Sequence, residues 1–75
     1  MTYDSKRFGM IVSRLRLKKG MTQEDLSAFA GISRSHLTDL ENGKKTMRLD
    51  TLFRLCEALG TTPGRVMRMY EEGEE

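Results

Sequence analysis

The sequence predicts an all-α protein, a compact bundle of five short helices forming one domain. Three observations carry that expectation. Apolar residues recur at three- and four-residue spacing along most of the chain. No stretch sustains the two-residue alternation of Val, Ile, Thr and aromatics that marks a half-buried strand. Most periodic runs open on a capping residue and close on a glycine.

The first helix is expected from about Ser5 to Lys19, with Phe8, Ile11, Val12 and Leu15 as one apolar stripe and Gly20 as its stop. Thr22 reads as the cap of the second helix. Asp25, three residues on, completes a variant capping box, and Gln23, Glu24 and Asp25 place acidic character where the helix dipole favours it. Leu26, Phe29 and Ala30 are its expected buried side. Gly31 breaks the period, and Ser33 caps a third helix, with Ile32 and Leu37 spaced as a hydrophobic staple and Leu37 and Leu40 facing inward.

Asn42 and Gly43 resemble a left-handed helix end, leaving GKKTMR as a polar, basic loop. A fourth helix is expected from about Arg48 or Leu49, with Leu52, Phe53, Leu55, Cys56 and Leu59 as its apolar set and Gly60 as its close. The fifth has the clearest start: Thr62 as cap and Pro63 at the first helical position, where its missing N–H costs nothing. Val66, Met67 and Tyr70 are expected to pack inward, with the domain core over residues 8–70 and residues 71–75, EEGEE, as an acidic, solvated tail.

A chain of 75 residues buries only about 60% of its unfolded surface, which argues against a deep substrate cavity. One cysteine, Cys56, allows no internal disulfide and no paired-thiolate metal site. The first ten residues hold no apolar signal region, and no uncharged run approaches the ~20 residues of a spanning helix, so a cytoplasmic protein without a membrane segment is expected. One histidine, one cysteine, no glycine-rich phosphate loop and no serine beside an evident base argue against an enzyme or a bound cofactor. The net charge of +2 conceals an asymmetry. Residues 1–70 carry 13 basic against 7 acidic side chains, a net of +6, which suits a polyanionic partner.

The stretch LRLKKGMTQEDLSAFAGISRSHLTDLENGKK, followed by LDTLFRLCEALG, resembles the helix-turn-helix domain of the lambda-repressor and Cro-like family. The likeness spans about residues 8–70. It combines a Thr-Gln helix start, a small residue and glycine at the turn, a Glu-Asn-Gly helix end and the Leu-x-x-Leu helix beyond it. The spacing also has a physical reading. Two short helices joined by a glycine turn cross steeply, so the second can enter a DNA major groove about 12 Å wide with its N-terminal end first. Arg34, Ser35 and His36 are then polar because they face a ligand.

The resemblance implies base contacts from Arg34, Ser35, Thr38 and Asp39. Arg34 is the strongest candidate, since its fork can donate two bonds to guanine; the plainer alternative is a phosphate contact. Thr38 can bring its methyl to thymine, and Asp39 can accept from cytosine or orient Arg34. Phosphate contacts are expected from Gln23, at a helix N-terminus, and from His36, Asn42, Lys44, Lys45 and Arg48. Arg14, Lys18 and Lys19 either approach DNA or only solubilise. The family's pattern further pairs Arg16 with Glu41, bracing the recognition helix.

One such unit reads few base pairs, so a C2 homodimer on duplex DNA is expected, its interface drawn from the fourth and fifth helices and their loop, with Val66, Met67, Met69 and Tyr70 supplying apolar surface. The segment RSHLTDLENGKKTMRLDTL also resembles the controller proteins of restriction-modification systems, which both activate and repress and would engage RNA polymerase. A helical adaptor for a protein partner, such as an antitoxin, is the rival use of the same fold.

Overall fold

The structure, a computed structural model, describes residues 3–73. Among them are five helices and no strand: α1 (Ser5–Lys18), α2 (Gln23–Ala30), α3 (Arg34–Glu41), α4 (Leu49–Leu59) and α5 (Pro63–Glu72). The starts of α1, α2, α3 and α5 follow from side-chain caps, whereas α4 begins at Arg48 with no side-chain cap bond. Asp4 Oδ1 accepts from the Lys6 and Arg7 N–H groups, each at 3.1 Å, and Ser33 Oγ accepts from His36 N–H at 3.0 Å. Thr22 and Asp25 form the reciprocal capping box, both bonds being 3.0 Å. Thr62 Oγ1 accepts from Arg65 N–H at 3.2 Å, with Pro63 behind it in the first turn.

The core is built from Val12, Leu26, Leu37, Leu40, Leu55, Cys56 and Val66, all essentially inaccessible, ringed by Phe8, Ile11, Leu52 and Leu59. Burial of roughly 2 kcal/mol for each large apolar side chain is the main force holding five helices that are too short to stand alone. Burial also raises the pKa of the Cys56 thiol, so this residue packs as an apolar group.

Several expected positions turn out otherwise. Phe29 is 75% exposed and Phe53 60% exposed. On α2 the buried stripe is Leu26, Ser27 and Ala30. Ser27 is accommodated because its hydroxyl donates to the Glu24 carbonyl at 3.0 Å. On α4 the stripe is Thr51, Leu52, Leu55, Cys56 and Leu59, and Phe53 lies one helical step outside it. Met67 is 46% exposed, not packed inward, whereas Val66 and Tyr70 belong to the core. α5 continues through Glu72 and ends on Gly73, so Glu71 and Glu72 are helical rather than part of a tail; Glu74 and Glu75 lie outside the described residues.

α1 approaches the end of α3 closely at Gly9. A β-carbon there would stand 2.6 Å from the Glu41 carbonyl oxygen and 2.8 Å from its carbon, and closer still to the Leu40 carbonyl oxygen. Glycine lets the backbone of α1 lie directly on the end of α3.

Candidate nucleic-acid interface

α2 and α3 are separated by Gly31, Ile32 and Ser33. Gly31 takes the left-handed conformation, φ 72°, which reverses the chain so sharply that Ile32 N–H reaches back to the Ser27 carbonyl at 3.0 Å. α3 then leaves the turn with Leu37 and Leu40 sunk in the core and Arg34 and Ser35 exposed at its leading end. His36, Thr38 and Asp39 are half-buried along its flanks. At the far end Gly43, at φ 75°, closes a Schellman motif in which Lys44 N–H donates to the Asp39 carbonyl at 2.8 Å. The backbone carrying Lys44 and Lys45 therefore has a set direction at its start.

The rear of α3 is braced by a polar junction centred on Glu41, whose side chain is 4% exposed. Arg16 Nε donates to Glu41 Oε2 at 2.8 Å and Arg16 Nη2 to Oε1 at 3.1 Å, a two-point pairing. Arg16 Nη1 also donates to the Met21 carbonyl at 2.9 Å, tying in the segment before α2. Gln23 Nε2 donates to Glu41 Oε1 at 3.0 Å. The Thr38 hydroxyl lies 3.0 Å from both Gln23 Oε1 and the Arg34 carbonyl, sharing its one hydrogen between them. Three helices thus meet on one buried carboxylate, and no buried side-chain polar atom among the described residues lacks a partner.

The expected site residues therefore separate. Arg34 and Gln23 line one surface depression with Arg16, Thr22 and Glu24, so the arginine head sits beside the N-terminus of α2. Ser35, Asn42 and Lys44 are exposed on the same element or just beyond it. Lys45 Nζ is 3.7 Å from Asp39 Oδ2, so the partner of Asp39 is Lys45 rather than Arg34. That pair is largely exposed and weak. Arg48 holds the N-cap position of α4 without a side-chain cap bond and places Nε 3.4 Å from Asp50 Oδ1, again at the surface.

Two structural supports escaped the sequence. Gly9 could have been suspected, since glycine within an amphipathic helix is costly unless something approaches closely. The N-terminal strap gave no local sign: Tyr3 stacks near Phe8 and Tyr70, its hydroxyl accepts from Met47 N–H at 3.3 Å, and Tyr70 Oη accepts from Asp4 N–H at 2.7 Å.

Comparison with known proteins gives the same assignment. A family described as Helix-turn-helix matches residues 12–66, which covers most of the chain. The chain belongs to the helix-turn-helix family of transcriptional regulators, Cro/C1 type. This regulator is 40% identical over 57 residues to the uncharacterized HTH-type transcriptional regulator y4dJ of Sinorhizobium fredii, covering 76% of this chain and 74% of that protein. It is 35% identical over 57 residues to the control protein C.BamHI of Bacillus amyloliquefaciens, covering 75% and 70%. Among solved structures it resembles the restriction-modification controller protein C.AhdI of Aeromonas hydrophila, with TM-score 0.82, 32% identity and coverage of 84% and 96%. The fold also matches the controller C.Esp1396I, solved as a tetramer with its 35 base-pair operator, with TM-score 0.85, 21% identity and coverage of 96% and 95%. In this helix-turn-helix regulator no described helix is long and apolar enough to cross a membrane.

Proposed function

We propose that the protein is a cytoplasmic, non-enzymatic homodimer that reads a pseudopalindromic operator in duplex DNA and represses or autoregulates transcription. One observation carries this reading: α3 presents a polar, exposed leading end while Glu41 ties its rear to α1 and α2. A helix held at one end and open at the other is what groove entry requires. In this proposal Arg34 and Ser35 read base edges. Thr38 contributes its methyl rather than its hydroxyl, whose hydrogen is already shared within the protein. Asp39 turns Lys45 as much as it reads bases. Gln23 contributes its backbone N–H to a phosphate, because its amide is held by Glu41 and Thr38. His36, Asn42, Lys44, Lys45 and Arg48 complete the phosphate contacts.

The dimer surface stays on α4 and α5, but its residues differ from those expected. Val66 and Tyr70 are consumed by the protein's own core. Leu49 and Phe53, one turn apart on α4 and 69% and 60% exposed, together with Met67 on α5, supply the apolar area a second copy would cover.

The likeness to C.BamHI and C.AhdI favours one narrower version, a restriction-modification controller that both activates and represses and contacts RNA polymerase. Footprinting on the DNA upstream of the protein's own gene tests the proposal. Protection of a symmetric site, with affinity that falls steeply between low and moderate salt, is the expected result. Absence of duplex binding at low salt would leave the adaptor reading in its place.

A further inference from the structure

The proposed DNA surface accounts for only some of the chain's 13 basic residues. Six others, Lys6, Arg7, Arg14, Lys18, Arg65 and Arg68, line a single groove between α1 and α5. It consists of three adjoining depressions of about 260, 340 and 330 Å³, joined through Met69, which lines all three. Apart from Lys6, whose backbone lies against Gly43 at the end of α3, its position is separate from α3. On α1, Gly9 and Arg16 face α3. Arg7, Arg14 and Lys18 lie roughly 140–180° around the helix from Gly9, at 3.6 residues per turn. No residue of the groove lines the depression beside Arg34 and Gln23.

Two properties decide what the groove would accept. Its lining holds six cations against two carboxylates, Asp4 and Glu72. Asp4 caps α1, Arg7 lies over the Tyr70 ring and Arg14 is engaged within the protein, which leaves Lys6, Lys18, Arg65 and Arg68 as the main charge offered to a ligand. Its floor is apolar: Leu15 and Met69 pack against the core, while Met10 and Leu17 are 50% and 64% exposed. A phosphate backbone would use the charge and leave these apolar side chains uncovered. Methionine and leucine between two helices suit the apolar stripe of a third helix, with carboxylates on its flanks meeting the rim. The length fits as well, since 14 residues of α1 span roughly 21 Å, the reach of a partner helix of about four turns.

We propose that the α1–α5 groove is a docking surface for an acidic amphipathic helix of a protein partner, separate from the DNA surface and able to be occupied at the same time. Such a site lets a DNA-bound regulator hold a second protein without giving up its operator.

Fluorescence anisotropy of the full chain with a labelled peptide tests this. The peptide is about 18 residues of Glu, Ala and Leu, with leucines at i, i+3, i+4 and i+7. Binding is expected to be at least tenfold tighter than to oligoglutamate of equal charge, and to anionic phosphatidylglycerol vesicles. It should fall at least tenfold in the double variant Arg65→Glu, Arg68→Glu, and also in Leu17→Ser, whose exposed position leaves folding intact by circular dichroism. Saturating duplex should leave it unchanged. Equal binding of oligoglutamate or vesicles, displacement by duplex, or undiminished binding by Leu17→Ser would overturn the proposal. The peptide arms do not depend on duplex binding, so failure of the DNA reading would be seen separately.

Discussion

Replacing Gly9 by alanine should destabilise the protein, although alanine is the better helix former by about 1 kcal/mol. The added methyl would stand 2.6 Å from the Glu41 carbonyl oxygen and 2.8 Å from its carbon, both backbone atoms that no rotamer change can move aside. Ordinary contact needs roughly 3.4 Å or more, so α1 and α3 must part by close to 1 Å. Overpacking of this kind costs about 1–3 kcal/mol, which outweighs or at least cancels the gain in propensity. The movement also stretches the Arg16 to Glu41 pairing, now 2.8 and 3.1 Å, and tilts α3 on its support. Gly64→Ala is the matched control. Its β-carbon meets only Thr62 Oγ1, at 3.9 Å, so there the propensity term acts alone and stability should rise by up to about 1 kcal/mol. Urea denaturation of both variants reads the two signs, and for a domain this small each kcal/mol moves the melting temperature by about 4–8 °C. A Gly9→Ala protein as stabilised as Gly64→Ala would refute the close approach and the seating of α3 derived from it.

Removing one partner of the buried junction should be severe: Glu41→Ala strands Arg16, 11% exposed, and frees the Gln23 amide, for an expected loss of about 3–5 kcal/mol in chemical denaturation. Arg34→Ala should relax preference at one base pair per half-site, losing about 1–3 kcal/mol of discrimination in competition binding. Lys44→Ala should weaken all duplexes alike and flatten the salt slope by roughly one unit. Leu49→Ser with Phe53→Ser should shift sedimentation toward the monomer with little change in the monomer's stability, since both side chains are exposed. Val66→Ser should unfold the chain instead, because that side chain is 1% exposed.

The starts of α2, α3 and α5 and most helix ends were legible because capping is a short-range matter, while α1 and α4 were placed by their apolar period. Thr22 and Asp25, Ser33 and His36, and Thr62 and Arg65 interact within three residues of one another, and local sequence contains both partners. Periodicity likewise picked out Leu26, Leu37, Leu40, Leu55 and Val66 as core. It misplaced Phe29, Phe53 and Met67 because hydrophobicity does not ensure burial at positions on the edge of a stripe. An edge residue is covered only if a neighbouring helix lies on that side.

What the amino-acid order determined by itself was thus the set of five helices, the glycine turn between α2 and α3 and the polar leading end of α3. Each depends on interactions a few residues long. The sequence pattern also singled out Arg16 and Glu41, but through family likeness and not through any local rule. The tertiary structure decided what those helices do to one another: that Gln23 and Thr38 join the Glu41 junction, that Gly9 admits α1 onto the end of α3, and that six cations from two distant segments share one groove. These arrangements link residues up to some sixty positions apart, and only the packing of the whole chain brings them within reach.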